Sequence, residues 1–226
     1  MKLLYVLSLC LFVLAASFGL KTIENGFTKK RDDPRVIKIS VIDSENADLL
    51  FREFVQNKNI PFRYPRDGCY ARATAMALMA EKSSVLMGKI YAKGLLVAKT
   101  KIPKYPIAIW GWHVAPVTFV KKIDGVIELM VFDPSLFSKP VTIEEWKNKM
   151  KEDIGIKGEK GQVDEIYYGS RFQYTEKSEE YKDKWLKADL ENMTETFSTY
   201  LPLQDSSSSS ENKNIQDPVS RQEGSK

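Results

Sequence analysis

The stretch of residues 63–73 contains the single cysteine that follows the apolar N-terminal segment. Its sequence, RYPRDGCYARA, places Cys69 after a turn with proline and glycine and before an alanine-rich run. That run has apolar residues at helical spacing, at Ala71, Ala75, Leu78 and Met79. We therefore expect Cys69 in the first turn of a helix with Asp67 as N-cap, where free N–H groups and the helix dipole favour a thiolate. The alternative is a small, inert core residue, because free cysteines are usually buried.

The count of cysteines and histidines narrows the chemistry. The chain has two cysteines, and Cys10 lies in the apolar N-terminal segment, so an exported protein would retain Cys69 alone. An unpaired thiol in a secreted chain indicates a reactive group or an intermolecular disulfide. A cysteine nucleophile needs a base, and His113 is the only histidine. One cysteine and one histidine are too few for a zinc site, so we expect no metal and no cofactor.

A third candidate, Asp133, lies at the end of a predicted hairpin. The strands are residues 107–121 and 126–133, joined at Asp124-Gly125. Alternation of side chains puts Trp110 and Trp112 on one face of the first strand and His113 on the other.

The length of the hairpin loop decides whether Asp133 can reach His113. A two-residue loop sets Asp133 opposite Pro116, on the face away from His113. A three-residue loop with Gly125 left-handed sets it opposite Ala115, on the face of His113 and roughly 7–8 Å away along the diagonal. Periodicity leaves both registers open.

The remaining elements predict one domain with attachments. Residues 1–20, MKLLYVLSLCLFVLAASFGL, have the form of a secretory signal peptide and are too short for a membrane anchor. Residues 21–34 are predicted to be a flexible leader, residues 35–204 the catalytic domain, and residues 205–226 a disordered serine-rich tail. Within the domain we expect helices over residues 44–56, 69–84, 142–152 and 178–197, the third with a Thr142–Glu145 capping box.

Composition limits the classes of partner. The chain is 226 residues long, with 43% apolar and 28% charged residues, which suits a domain with a proper core. Its net charge of +4 is small, so nothing indicates nucleic acid as a partner. We expect a secreted monomer, extracellular or periplasmic, with no membrane attachment once the signal peptide is removed.

Three blocks of the chain together resemble the bacterial protein-glutamine glutaminases, or protein deamidases. The blocks are Phe62-Arg63-Tyr64-Pro65 with residues 67–73, His113-Val114-Ala115, and residues 133–138 with Pro140-Val141-Thr142. The similarity runs over about residues 60–146. It implies an α+β fold with a papain- and transglutaminase-like core, in which the nucleophile begins a helix packed on an antiparallel sheet. It also implies a catalytic triad of Cys69, His113 and Asp133.

The resemblance implies a reaction and leaves alternatives open. The expected activity is hydrolysis of the side-chain amide of glutamine in proteins or peptides, through a thioester on Cys69. A transglutaminase would transfer the same acyl group to a lysine amine, and a cysteine peptidase would attack a backbone amide. A secreted binding module with an inactive triad is the alternative from a different class.

Overall fold

The structure is a computed structural model that describes residues 21–25, 37–155, 160–177 and 184–205. The protein is α+β. The strands are β1 (Lys21–Asn25), β2 (Ile37–Asp43), β3 (Gly88–Lys99), β4 (Ile107–Lys121), β5 (Ile127–Val131), β6 (Val141–Thr142) and β7 (Glu165–Gly169). The helices are α1 (Ser44–Gln56), α2 (Cys69–Lys82), α3 (Ile143–Lys149) and α4 (Lys187–Asp205).

The strands form one sheet centred on β4. The order is β1-β2-β4-β3-β7, with β5 paired to β4 and β6 paired to β5. All pairs are antiparallel except β2 and β4, which are parallel. The α+β arrangement implied by the resemblance, with a helix that begins at Cys69 packed on a mainly antiparallel sheet, is confirmed.

The β4–β5 hairpin has the three-residue loop. Lys121 is paired with Ile127, the Lys122 N–H donates to the Val126 carbonyl at 2.8 Å, and the Gly125 N–H donates back to the Lys122 carbonyl at 2.9 Å. Gly125 is left-handed, with φ of +84°. Continued past β5, this register sets Asp133 opposite Ala115.

The β3–β4 pair contains a bulge that changes which side chains share a face. The pairing passes from Lys93–Trp112 to Leu96–Trp110, so β3 has one extra residue here. On β4, Trp110 and Ala115 lie in the same core although they are five residues apart, whereas Trp112 packs on the opposite face. The prediction that Trp110 faces away from His113 is therefore wrong.

The two faces of the sheet are covered by different helices. Helices α1 and α2 pack on one face around Phe51, Phe54, Met76 and Phe132. Helix α3 packs on the other through Trp146, which is fully buried. Its first turn has the expected capping box between Thr142 and Glu145.

Some boundaries differ from those predicted. Residues 21–25 of the supposed flexible leader form β1, which pairs with β2 as an edge strand. Helix α4 begins at Lys187 and ends at Asp205, the first residue of the supposed tail. The predicted signal peptide, most of the leader and residues 206–226 lie outside the described residues. Among the helices described, none has the length and apolar character needed to cross a bilayer.

Candidate active site

Cys69 is the first residue of α2. Gly68 occupies the N-cap position in the left-handed conformation, with φ of +77°, and no side chain caps the helix. The Arg72 N–H donates to the Gly68 carbonyl at 3.0 Å. The N–H groups of the residues before Arg72, in the first turn, precede the first helical hydrogen bond and point towards the space before the helix. The Cys69 side chain thus lies next to a group of backbone donors.

Arg72 organises the loop that leads to Cys69. Its buried guanidinium donates through Nη1 to the carbonyls of Tyr64 at 2.9 Å and Asp67 at 2.6 Å. The indole of Trp110 donates to the Pro65 carbonyl in the same loop at 2.8 Å. These bonds join the loop to α2 and to β4, so the segment that leads to Cys69 is fixed from two elements.

Asp67 is not the N-cap that the sequence predicted. Its Oδ1 accepts from the Gly68 N–H at 2.6 Å, and its Oδ2 accepts from the Tyr200 hydroxyl at 2.6 Å. The carboxylate is therefore bound by its neighbour and by α4, and it does not cap the first turn of α2.

His113 and Asp133 are hydrogen-bonded to each other inside the protein. His113 Nε2 lies 2.7 Å from Asp133 Oδ2, and the two residues are 1% and 4% exposed. The Trp146 indole donates to the same carboxylate oxygen at 2.9 Å. The three-residue hairpin loop explains the contact, because it places Asp133 beyond β5 on the face of the sheet that carries His113.

Two tryptophans hold the imidazole ring. Trp110 stacks on His113 with centroids 4.7 Å apart and planes at 14°, and Trp146 lies on it at 5.7 Å and 28°. The Nδ1 atom of His113 is buried and has no hydrogen bond to a described residue. With Nε2 bound to Asp133, Nδ1 is the nitrogen that remains for a reacting group.

The charges of the site favour an imidazolium next to a carboxylate. Burial lowers the pKa of His113, but the Asp133 carboxylate and, secondarily, Cys69 outweigh it and raise that pKa from 6.5 to about 9. Burial raises the pKa of Asp133, but the imidazolium, the hydrogen bonds from His113 and Trp146, and the charge of Arg72 lower it below its usual value. The pair is thus ionised around neutral pH.

Several aromatic side chains also lie around Cys69. Tyr91 and Tyr167 are buried against it with Val114, and their rings stack 4.8 Å apart. Trp112 and Tyr70 are only half-buried there and stack at 6.1 Å. This half-buried pair forms an apolar wall beside the thiol.

The sequence predicted Cys69, His113 and Asp133 as site residues. It did not predict the residues that hold them in place. Trp146 was seen only as part of a predicted helix, although a tryptophan directly after a capping box is a signal for a buried anchor. Arg72 entered the sequence analysis only as part of the stretch around Cys69, although a lone cation in an alanine-rich run is a signal for a buried, paired side chain. No local pattern indicated that Tyr200, far along the chain, reaches Asp67. Within the described ranges, no three histidine, cysteine or acidic side chains cluster as metal ligands would.

Comparison with known proteins gives one family and one group of structures. Residues 44–150 match the family model described as "Glutaminase". A crystal structure of protein-glutaminase is 26% identical, covers 78% of this chain and 96% of its own, and has a TM-score of 0.60. The NMR structure of protein-glutaminase from Chryseobacterium proteolyticum is 27% identical, with the same coverage and TM-score. A crystal structure of pro-protein-glutaminase is 26% identical, covers 83% of this chain and 66% of its own, and has a TM-score of 0.62. No curated protein matches in sequence.

Proposed function

The chain is a relative of the protein-glutaminases, an enzyme of the amide-hydrolase class, and from this we propose that it hydrolyses glutamine side chains in proteins to glutamate and ammonia. We assign Cys69 as nucleophile, His113 as acid and base, and Asp133 as the residue that orients His113. The observation that carries the proposal is the buried His113–Asp133 pair at 2.7 Å. Cys69, at the start of α2, is close enough to the same imidazole to contribute to its raised pKa.

The first step forms a thioester. The reaction starts from an ion pair in which the proton lost by the Cys69 thiol lies on Nδ1 of His113, and the thiolate attacks the carboxamide carbon of glutamine. The carbonyl oxygen becomes an oxyanion near the free N–H groups of the first turn of α2. A donor in such a place is typically worth roughly 3 kcal/mol of transition-state stabilisation. The first turn of α2 thus stabilises the negative charge on the sulfur and the negative charge that develops on the oxygen.

His113 then releases ammonia. The imidazolium gives its Nδ1 proton to the amide nitrogen as the C–N bond breaks, which leaves neutral His113 and the thioester on Cys69. A pKa of about 9 keeps the ring protonated at neutral pH until this transfer.

Water completes the cycle. Neutral His113 takes a proton from water, the resulting hydroxide attacks the thioester carbon, and the C–S bond breaks to give the side-chain carboxylic acid, which loses its proton to solvent and becomes glutamate. Cys69 leaves as thiolate and His113 is again an imidazolium, so the starting ion pair is restored. The steps use side chains and backbone donors alone.

Asp133 and Trp146 keep the ring in the productive tautomer. Because Asp133 accepts from Nε2, the proton that moves during the reaction is the one on Nδ1. The second bond of the carboxylate, from the Trp146 indole, fixes Asp133 itself.

We also propose the setting in which the enzyme works. The form of residues 1–20 supports export to the extracellular space or periplasm. The catalytic domain corresponds to about residues 35–204, acts as a monomer and takes protein or peptide substrates.

The test is the fate of a protein substrate such as casein, incubated with wild type and Cys69→Ala, with and without a small primary amine. We expect wild type to release ammonia and to add about 1 Da per modified glutamine, because water attacks the acyl-enzyme. Cys69→Ala should release none. Incorporated amine or crosslinked species would assign the protein as a transglutaminase, and backbone fragments as a peptidase. No product from folded wild type would overturn the proposal in favour of a binding module.

A further inference from the structure

We propose that Tyr200 is a positioning residue that holds the Asp67 carboxylate away from the N–H donors at the start of α2. The inference rests on the proposed function, in which those donors stabilise the oxyanion on the substrate. It concerns α4, which lies outside the segment matched by the family model.

Asp67 is a competitor for the donors by its position in the chain. It lies two residues before Cys69, and aspartate near a helix start is a favoured acceptor for the N–H groups of the first turn. A carboxylate there would occupy the donors that the oxyanion needs, and its charge would oppose both the thiolate and the oxyanion. An aspartate at this position therefore has to be kept in another orientation.

The structure shows what keeps it there. Both carboxylate oxygens are occupied, Oδ1 by the Gly68 N–H and Oδ2 by the Tyr200 hydroxyl, each at 2.6 Å. The Gly68 N–H belongs to the peptide just before the helix, so its bond leaves the carboxylate near the helix start. Of the two bonds, only the one from the Tyr200 hydroxyl draws the carboxylate towards α4.

Tyr200 is itself held firmly. It is 6% exposed, and its ring stacks on Tyr64 at 4.6 Å and 26°. A Cβ placed on Gly68 would lie 3.0 Å from Tyr200 Cδ2, so the ring rests on the left-handed glycine that precedes the nucleophile. Burial and the Asp67 carboxylate raise the pKa of Tyr200, so the hydroxyl remains a donor.

The titratable groups that face Asp67 include three tyrosines. Tyr70, Tyr174 and Tyr200 each have a raised pKa, with burial as the main cause and Asp67 contributing, so they face it as neutral phenols. Arg72 binds the backbone carbonyl of Asp67. The Tyr200 hydroxyl is thus the donor from a distant element that fixes the side chain.

The experiment compares Tyr200→Phe with the double variant Asp67→Ala, Tyr200→Phe. The phenylalanine keeps the ring and its stacking and removes only the hydroxyl. We expect kcat for ammonia release to fall roughly tenfold or more with KM within about twofold, because part of the oxyanion stabilisation is lost. Alanine has no side-chain acceptor and no charge, so it cannot occupy the first-turn donors, and the double variant should recover most of kcat.

Tyr105→Phe is the matched control. Tyr105 lies in the same aromatic cluster and its hydroxyl donates to the Leu203 carbonyl in α4 at 3.0 Å, so this variant also loses one bond to α4. It should keep the wild-type kcat. If Tyr200 only stabilised the fold, adding Asp67→Ala would give no recovery, and this outcome would overturn the inference, as would a wild-type kcat for Tyr200→Phe.

A second measurement does not depend on amide hydrolysis. Alkylation of Cys69 by iodoacetamide at neutral pH should be slower in Tyr200→Phe and restored in the double variant, because the freed carboxylate disfavours the thiolate. If wild type released no ammonia, the proposed function would fail while alkylation still tested the role of Tyr200. Equal alkylation rates in wild type and Tyr200→Phe would count against that role.

Discussion

The imidazole of His113 has three kinds of neighbour, and each fixes a different property of the ring. The Asp133 carboxylate sets which nitrogen is bonded and favours the charged form. Trp110 and Trp146 fix the plane of the ring from either side. The surrounding core excludes water, so the ring has little freedom to turn Nδ1 away. In the proposed mechanism, a histidine held this way starts each step in the geometry it needs.

Asp133→Asn tests the orienting role of the carboxylate. Its amide would present a donor to Nε2 or lose the bond, so the tautomer with the proton on Nε2 and a free Nδ1 would no longer be maintained. We expect kcat/KM for ammonia release to fall by at least about 100-fold. Asp124→Asn, at the exposed hairpin turn where Asp124 accepts from the Val126 N–H, is the control and should keep wild-type activity. A fall of less than about fivefold in Asp133→Asn would remove this residue from the mechanism.

The pKa of His113 also predicts how stability depends on pH. The folded pKa of about 9 lies above the ordinary 6.5, so the folded protein retains a proton that the unfolded chain loses between these values. The stabilisation is complete below 6.5 and disappears as the pH rises through about 9. Urea unfolding of wild type should show a falling free energy of unfolding over this window. In His113→Gln the fall should be clearly smaller, and an equal fall would contradict the shifted pKa.

At the scale of elements, one residue in a loop decides whether the site exists. The strand β4 was predicted with its observed bounds, and α1 with its observed bounds too, because alternation and helical spacing are local signals. The hairpin register was not decided by these signals, since both loop lengths suit Asp124-Gly125. The conformation of Gly125 selects the three-residue loop and with it the face on which Asp133 lies.

The bulge in β3 shows why other parts of the site could not be predicted. It shifts the face of β4 at Trp110, and its position depends on pairing between strands, which a single strand's sequence does not contain. Gly94 in the bulge has φ of +138°, and a Cβ there would lie 2.3 Å from the Gln162 carbonyl oxygen. A chain segment far along the sequence thus requires this glycine. Asp67 was wrongly predicted as N-cap for a similar reason, because its true partner, Tyr200, is distant.

Gly125→Val tests the contribution of the hairpin turn to stability. A branched side chain at φ of +84° is strained, and such strain costs about 1–3 kcal/mol. The free energy of unfolding, measured in urea, should fall by this amount. Gly111→Ala is the control for adding a side chain, because nothing lies within 4 Å of a Cβ there and its φ is not in the left-handed range. A stability loss in Gly111→Ala as large as in Gly125→Val would show that turn strain is not the cause.

For the molecule as a whole, helix α4 belongs to the same unit as the loop of residues 63–68 that leads to Cys69. Besides Tyr200, other residues of α4 contact this loop and the residues packed on it. Leu203 accepts from Tyr105 and from Lys104, and Gln204 accepts from the Arg63 N–H at 3.3 Å. These contacts join chain segments about a hundred or more residues apart. Periodicity and capping signals are local, so they did not predict where α4 begins or which residues it contacts. The domain therefore extends through α4.

Truncation tests this extent, using chains of residues 21–226, 21–205, 35–205 and 21–186. The first two should have the same kcat/KM and melting temperature, because residues 206–226 are too polar to add to a core. Residues 35–205 should fold and keep activity with a lower melting temperature, since β2 loses the antiparallel partner β1 while the site strands keep theirs.

Residues 21–186 lack α4, so the apolar surface of Tyr64 and Tyr105 is exposed and Asp67 loses Tyr200. This chain should lose activity and most of its thermal stability. Retained activity without α4 would contradict both the domain boundary and the role of Tyr200, whereas loss of activity in residues 21–205 would show that the serine-rich tail takes part in the fold.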